Sequence, residues 1–499
     1  MGSSFEIDLD DAEAPLVLAV DVGSTATRGM VYDARGRPVG KRAKVSHGFT
    51  VAPDGTSVID PNQVVDEVTA VIDKLTDALG TESVAGVALD TFASSLVVVD
   101  RDGKALTPCY TYADGRCGQH VEALREELDE GQLQQRTGTR MHSSYWPARL
   151  RWLAQEHPDI VKAAEHYLSL GDYVLRRLTG ALATGTSTAA WTGMVDRFTA
   201  DWYADIVTTA GIRLEQLPPI HHLDEPLEIE PKKAAKITKK WPQLAEARWF
   251  ATITDGLAAN VGLGAYDETS IGASCATSGA LRVLVRTLPE ELPTGLWCYR
   301  VSHDKSLVGG ALNDVGRALS WADVTLRTDQ VHEDELSAAL VAEPHETTPL
   351  VLPFLSGERS TGWAADARAV ITGIGAGSAP VEVYRGVVEG IALSYARIAA
   401  QLRTVAPQPD KLFCGGRVTQ DRPELLQVMA DAMRTQVTPV ELKRTTLRGT
   451  ALLMLDTVAP GVKRARPDLG KTLSPDTNRR PYYTQRFQKF EQVYEALFT

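Results

Sequence analysis

An apolar run that begins at residue 16 ends in Asp21, passes through Val22-Gly-Ser-Thr-Ala-Thr-Arg28, and resumes as a second short apolar stretch to Tyr32. A buried strand feeding a tight Gly/Ser/Thr turn presents backbone N–H groups and hydroxyls to a phosphate. A carboxylate at the strand end is then positioned for the accompanying magnesium. Residues 16–32 therefore read as a nucleotide clasp. The same pattern also describes an ordinary hairpin with small polar residues in its turn, because short motifs recur by chance.

At 499 residues the chain is too long for one core of ordinary size and predicts two domains or more. A 43% hydrophobic content is enough to fill large cores. The net charge of −12 is spread without a basic stripe, which argues against nucleic acid or an anionic membrane surface as partner. The spacing of Cys109, Cys117, Cys275, Cys298 and Cys414 matches no common zinc or redox motif, so reduced thiols and a cytoplasmic setting are expected. Residues 1–14 are acidic and read as a flexible tail. No stretch approaches the roughly 18 apolar residues of a membrane span.

Strand-like and helix-like runs alternate along the chain, the pattern of an α/β protein. Asp60 is placed to cap a helix with Pro61 at its first position and Gln63 closing a capping box, and Gly80 ends the run. Strands are expected over 84–89, 96–100 and 105–110, and helices over 145–155, 159–164 and 171–178. Residues 218–241 lack a sustained period and read as an excursion before a boundary near Arg248. The second half then echoes the first: an apolar run over 271–276, the turn Thr277-Ser278-Gly279, and a further apolar run to Val285. Two such turns facing one another across a cleft would hold one triphosphate from both sides.

Seven segments occur in the order and rough spacing of the FGGY carbohydrate kinases: Asp21-Val-Gly-Ser-Thr-Ala-Thr-Arg28, Tyr112-Ala-Asp114-Gly-Arg116, Leu178-Thr-Gly180, Thr254-Asp-Gly-Leu-Ala-Ala-Asn260, Ala276-Thr-Ser-Gly279, Gly357-Glu-Arg359 and Gly415-Gly-Arg417. Together they span most of the chain. The segments Pro108-Cys-Tyr-Thr-Tyr-Ala-Asp-Gly-Arg116 and Pro353-Phe-Leu-Ser-Gly-Glu-Arg-Ser-Thr-Gly-Trp363 most resemble the gluconokinase branch. The resemblance implies an actin-like, ribonuclease H-like ATPase fold of class α/β, with two lobes and an interdomain cleft that closes over ATP and a sugar. It implies an N-terminal domain over 15–249, carrying the sugar site and first phosphate loop, and a C-terminal domain over 250–490, carrying the catalytic base and nucleotide site.

Phosphoryl transfer to a hydroxyl needs in-line geometry, neutralised phosphate charge and a base for the hydroxyl proton. Asp255 follows the run 249–254 and precedes a small-residue helix, so it would project from a strand end. The family's base falls at this aspartate. By its residues alone, Asp255 equally suits the N-cap of a helix over 257–263. The resemblance implies that Gly23, Ser24, Thr25 and Arg28 form the first phosphate segment and Thr277 with Gly279 the second, where Ala276 replaces a usual glycine. It implies that Asp21 holds Mg2+ through water, that residues 309–311 and Gly316 line the triphosphate path, and that Gly415 and Gly416 border adenosine.

For the sugar, matching positions are Ala93, Ser94, Tyr112, Asp114, Arg116, His142 and Ser144. Asp114 and Arg116 suit charge-assisted recognition of hydroxyls or a carboxylate, and equally suit a salt bridge with each other. Ala93 and Ser94 replace the Arg-Glu pair of glycerol kinases. Glu358, Arg359 and Trp363 read as a structural ion pair and aromatic. The implied activity is ATP-dependent phosphorylation of a terminal hydroxyl of an open-chain sugar acid, gluconate first. The alternatives are a pentulose or polyol kinase and, in another class, an actin-like ATPase or regulator without a sugar. The implied partners are ATP, Mg2+ and a small sugar or sugar acid, and a homodimer is compatible with the pattern.

Overall fold

Seven consecutive buried residues form β1 (Leu16–Val22), which pairs antiparallel with β2 (Ala26–Tyr32). The computed structural model describes residues 5–406, 409 and 411–498. β2 continues antiparallel to β3 (Pro38–Ser46), and on its other side β1 runs parallel to β4 (Val84–Thr91). Two short parallel strands, β5 (Arg248–Trp249) and β6 (Ile253–Thr254), lie along the far edge of β4. β1 is buried on both faces because helices cover both: α1 (Pro61–Leu79) packs on β2 and β3, and a late helix, Thr445–Val458, packs on β1 and β4. Strands covered on both faces read as continuous apolar runs, which is how residues 16–22 appear in the sequence.

The chain separates into two compact units. The first comprises Met1–Gly262, Cys298–Leu307 and Arg444–Arg466; the second comprises Leu263–Trp297, Val308–Lys443 and Pro467–Thr499. The division therefore falls after Gly262, beyond the 249/250 boundary expected from sequence. The reason is helix packing. α2 (Asp255–Gly262) lies so close to the helix Thr445–Val458 that a Cβ on Gly449 would stand 1.7 Å from the Ala258 carbonyl oxygen, and one on Gly262 would stand 1.8 Å from that of Thr445.

In the second unit, β7 (Ser270–Cys275) and β8 (Gly279–Val285) form an antiparallel hairpin. β9 (Ser306–Leu312) flanks β8, while β10 (Lys411–Gly415) runs parallel to β7 and leads to β11 (Val437–Pro439). The echo in the sequence is thus a repeated topology: each unit has a hairpin whose first strand is also parallel to a later one. α3 (Gly316–Thr325), the long α4 (Pro380–Val405) and α5 (Glu424–Met433) complete this unit, and α4 is buried along most of its length.

Several expectations change. Asp60 caps α1 by accepting from the Asn62 amide, but Gln63 bonds Glu67 at 2.9 Å and closes no capping box. The segment 218–241 contains a helix, Pro231–Lys240, with only Ile237 buried, so its apolar face is too narrow to stand out in the sequence. The expected strand over 105–110 shrinks to Cys109–Tyr110. Of the supposed tail, residues 1–4 lie outside the described residues. The rest is docked: Phe5 is buried and Ile7 pairs with Val39. Glu358 pairs with Arg397 at 2.6 Å and with Tyr494, rather than with Arg359. All five cysteines are free and buried. Among the described residues, no helix is long and apolar enough to cross a membrane.

Candidate active site

Strand register gathers three carboxylates at the carboxyl ends of three parallel strands. Asp21 on β1 lies directly across from Asp90 on β4, and Asp90 in turn partners Ile253 on β6, two residues before Asp255. Ligands in α/β folds bind at this end of the strands. Asp90 is fully buried. Its Oδ2 accepts from Thr450 Oγ1 at 2.6 Å, whereas its Oδ1 has no hydrogen-bond partner among the described residues. Burial first, then the charge of Asp21 and also that of Asp255, holds the Asp90 carboxyl well above the ordinary range. Burial likewise raises Asp21, against the opposing pull of Arg28. Asp255 is half-buried in the first turn of α2, so it is a helix residue and not the cap before it.

The turn between β1 and β2 leaves Ser24 and Thr25 exposed at its tip. Arg28 braces it from within: Nη1 donates to the Ala26 carbonyl at 3.3 Å and stands 3.5 Å from Asp21 Oδ2, and Nη2 donates to Thr25 Oγ1 at 3.1 Å. His47 braces it from the other side, through the Gly23 carbonyl at 2.8 Å.

The residues matched to sugar recognition lie in the same unit. Ser94 has φ +57°, an uncommon backbone state for a residue with a side chain, and its hydroxyl donates to the Trp191 carbonyl at 2.7 Å. Its own carbonyl accepts from the buried Arg149, which also donates to Ser143. Trp191 stacks on Tyr299, with ring centroids 3.7 Å apart. His142 Nδ1 lies 2.5 Å from Ser144 Oγ. Asp114 and Arg116 form a two-pronged ion pair, and Asp114 also accepts the Ser57 amide at 3.0 Å. Asp114 is only 2% exposed, so this pair anchors the loop carrying Tyr112 and is no solvated surface bridge. The Tyr112 ring is partly exposed and meets Phe49 and Phe92 edge-on.

In the second unit, the turn after β7 is fastened to the start of α3. The Gly316 amide donates to the Ala276 carbonyl at 2.8 Å, and the amides of Val315 and Arg317 donate to that of Thr277. Gly279 opens β8 against the Tyr395 hydroxyl. Gly415 closes β10, and Gly416 follows at φ +123°, where a Cβ would lie 2.2 Å from the Cys275 carbonyl oxygen. Only glycine fits that position. Gly309 and Gly310 lie on β9, where close packing against Leu281 and Ser360 accounts for them.

Among the described residues, no three His, Cys, Asp or Glu side chains are grouped to hold a metal ion. The paired Asp21 and Asp90 carboxylates, one with an unpartnered oxygen, still suit a hard cation. Magnesium usually keeps several waters and takes one or two carboxylates plus phosphate oxygens. Sequence reasoning missed Asp90, His47 and Arg149. Asp90 carries the same signal as Asp21, a carboxylate at the end of a buried apolar strand; His47 and Arg149 carry none.

The FGGY family of carbohydrate kinases, N-terminal domain, matches residues 16–239, and the C-terminal domain of that family matches residues 274–455. The chain is 24% identical to gluconokinase of Bacillus subtilis (strain 168) over 390 residues, which is 75% of this chain and 74% of that protein. It is 23% identical to xylulose kinase of Staphylococcus xylosus over 428 residues, 85% of this chain and 86% of that protein. In fold it is similar to gluconate kinase from Lactobacillus acidophilus, with a TM-score of 0.88 and 23% identity over 97% of this chain and 99% of the other.

Proposed function

Because the chain belongs to the FGGY family of carbohydrate kinases, we propose that it transfers the γ-phosphoryl group of ATP to a terminal hydroxyl of an open-chain sugar acid, with gluconate as acceptor and 6-phosphogluconate as product. The observation that carries this reading is the position of Asp255, half-buried at a strand end in one carboxylate cluster with Asp21 and Asp90. Asp255 accepts the proton of the attacking hydroxyl. Gly23, Ser24 and Thr25 receive the phosphate, with Arg28 holding their turn. Asp21, with Asp90 across from it on the next strand, would hold Mg2+ through water, and the bound ion would neutralise phosphate charge.

Thr277, Gly279 and Gly316 form the second phosphate segment, and Gly415 and Gly416 border adenosine. Tyr112, His142 and Ser144 meet the acceptor, Ser94 shapes the wall beside Trp191, and Asp114 with Arg116 fixes the loop that presents Tyr112. The sequence similarity to a gluconokinase supports the acceptor; the similarity to a xylulose kinase supports pentuloses as the competing class.

A coupled ADP assay across gluconate, xylulose, ribulose, glycerol and erythritol tests this. Gluconate is expected to give the highest kcat/KM. A higher value for xylulose or ribulose would replace the acceptor, and equal ADP release with and without every sugar would favour an ATPase. Asp255→Asn is expected to lower kcat about a thousandfold, with a small change in sugar KM. Full turnover in that variant removes Asp255 as the base.

A further inference from the structure

We infer that His47 is a positioning residue for phosphoryl transfer, pinning the Gly23 carbonyl so that the Ser24 N–H faces the phosphate; this rests on the reading of residues 23–25 as the phosphate turn. β3 pairs with β2 with Ser46 opposite Ala26, and this register brings His47 beside the turn. The His47 amide donates to the Thr25 carbonyl at 3.1 Å. Its side chain is wholly buried, with Nε2 2.8 Å from the Gly23 carbonyl oxygen and Nδ1 2.7 Å from Glu67 Oε2. A carbonyl oxygen only accepts, so Nε2 is the donor. Glu67, on α1, is itself held by Thr27 Oγ1 at 2.7 Å and Gln63 Nε2 at 2.9 Å.

The consequence follows from peptide geometry. In a trans peptide the C=O and N–H of one plane point in opposite directions. Holding the Gly23 oxygen toward His47 therefore turns the Ser24 N–H away from it, toward the exposed tip of the turn. Glycine admits close approach, but it also leaves the 23–24 peptide free to flip. A flipped peptide would present an oxygen to the phosphate and oppose binding. Arg28 does not prevent this, because its bonds go to Ala26, Thr25 and Asp21. His47 removes the freedom that Gly23 introduces.

His47→Phe keeps a ring that can stack on Phe49 and deletes both hydrogen bonds. Calorimetric titration with Mg2+ and a non-hydrolysable ATP analogue is expected to show affinity lowered about tenfold. The KM for ATP should rise similarly, while that for the sugar turned over changes less than about twofold. His47→Gln, which restores a donor toward Gly23, should recover part of the loss. Thermal melts establish that each variant folds; if the Phe variant does not, His47→Asn, too short to reach Gly23, takes its place. Unchanged analogue affinity, equal changes in both KM values, or a Gln variant no better than Phe would overturn the inference. Ser24→Pro separates the two readings. If it leaves analogue affinity intact, the phosphate-turn assignment itself fails; if it weakens affinity while His47→Phe does not, only the role of His47 fails.

Discussion

Asp90 shows how a single residue can be at odds with its surroundings. It is a carboxylate with no access to water, one satisfied oxygen, and two further carboxylates close enough to raise its pKa. An acid whose folded-state pKa lies above its unfolded value, about 3.9, adds stability that is fully present below that unfolded value. This stability is lost as pH rises through the folded value. Asparagine cannot ionise, so Asp90→Asn is expected to melt about 2–6 °C above the parent at pH 8 and to match it near pH 4. Equal melting temperatures at both pH values would show that the parent carries no such penalty. The nearby His47 is the opposite case, a buried polar group whose two ring nitrogens both have partners.

Among the elements, the pairing of α2 with the helix Thr445–Val458 decides where Asp255 points, because Asp255 occupies the first turn of α2. Gly262 and Gly449 allow the backbones to touch. Gly449→Ala would gain helix propensity of about 1 kcal/mol, but it drives a methyl group into the Ala258 carbonyl. Since overpacking of this kind costs up to about 3 kcal/mol, a net loss of about 2 kcal/mol is expected in denaturant unfolding. An unchanged midpoint would mean that the helices separate without cost. None of this was legible beforehand: the small residues of 255–262 announced a helix, and nothing in them announced a partner almost two hundred residues later.

For the whole molecule, the connectivity matters more than the two family segments suggest. The first unit is finished only when Arg444–Arg466 returns to it, and buried Leu447, Ala451, Leu452, Met454 and Leu455 come from that return. A chain ended at Lys443 would leave the faces of β1 and β4 uncovered. It should lose cooperative unfolding and bind a hydrophobic dye, as measured by calorimetry and fluorescence. A cooperative transition at the parent temperature would contradict this. Both units carry the same arrangement, an antiparallel hairpin whose first strand also runs parallel to a later strand, within the actin-like α/β fold of the FGGY family.

The sequence by itself determined the local parts: the doubly buried strand at 16–22, its small-residue turn, the echo at 271–285, and Asp255 just beyond a strand. Each is a matter of residue type and short spacing. Only the tertiary structure decided that Asp21, Asp90 and Asp255 share one end of one sheet, that His47 reaches the turn, and that Asp114 and Arg116 are engaged with each other. Those outcomes depend on strand register and on helices arriving from distant segments. Register is set by how buried faces match across strands, and no local pattern encodes it.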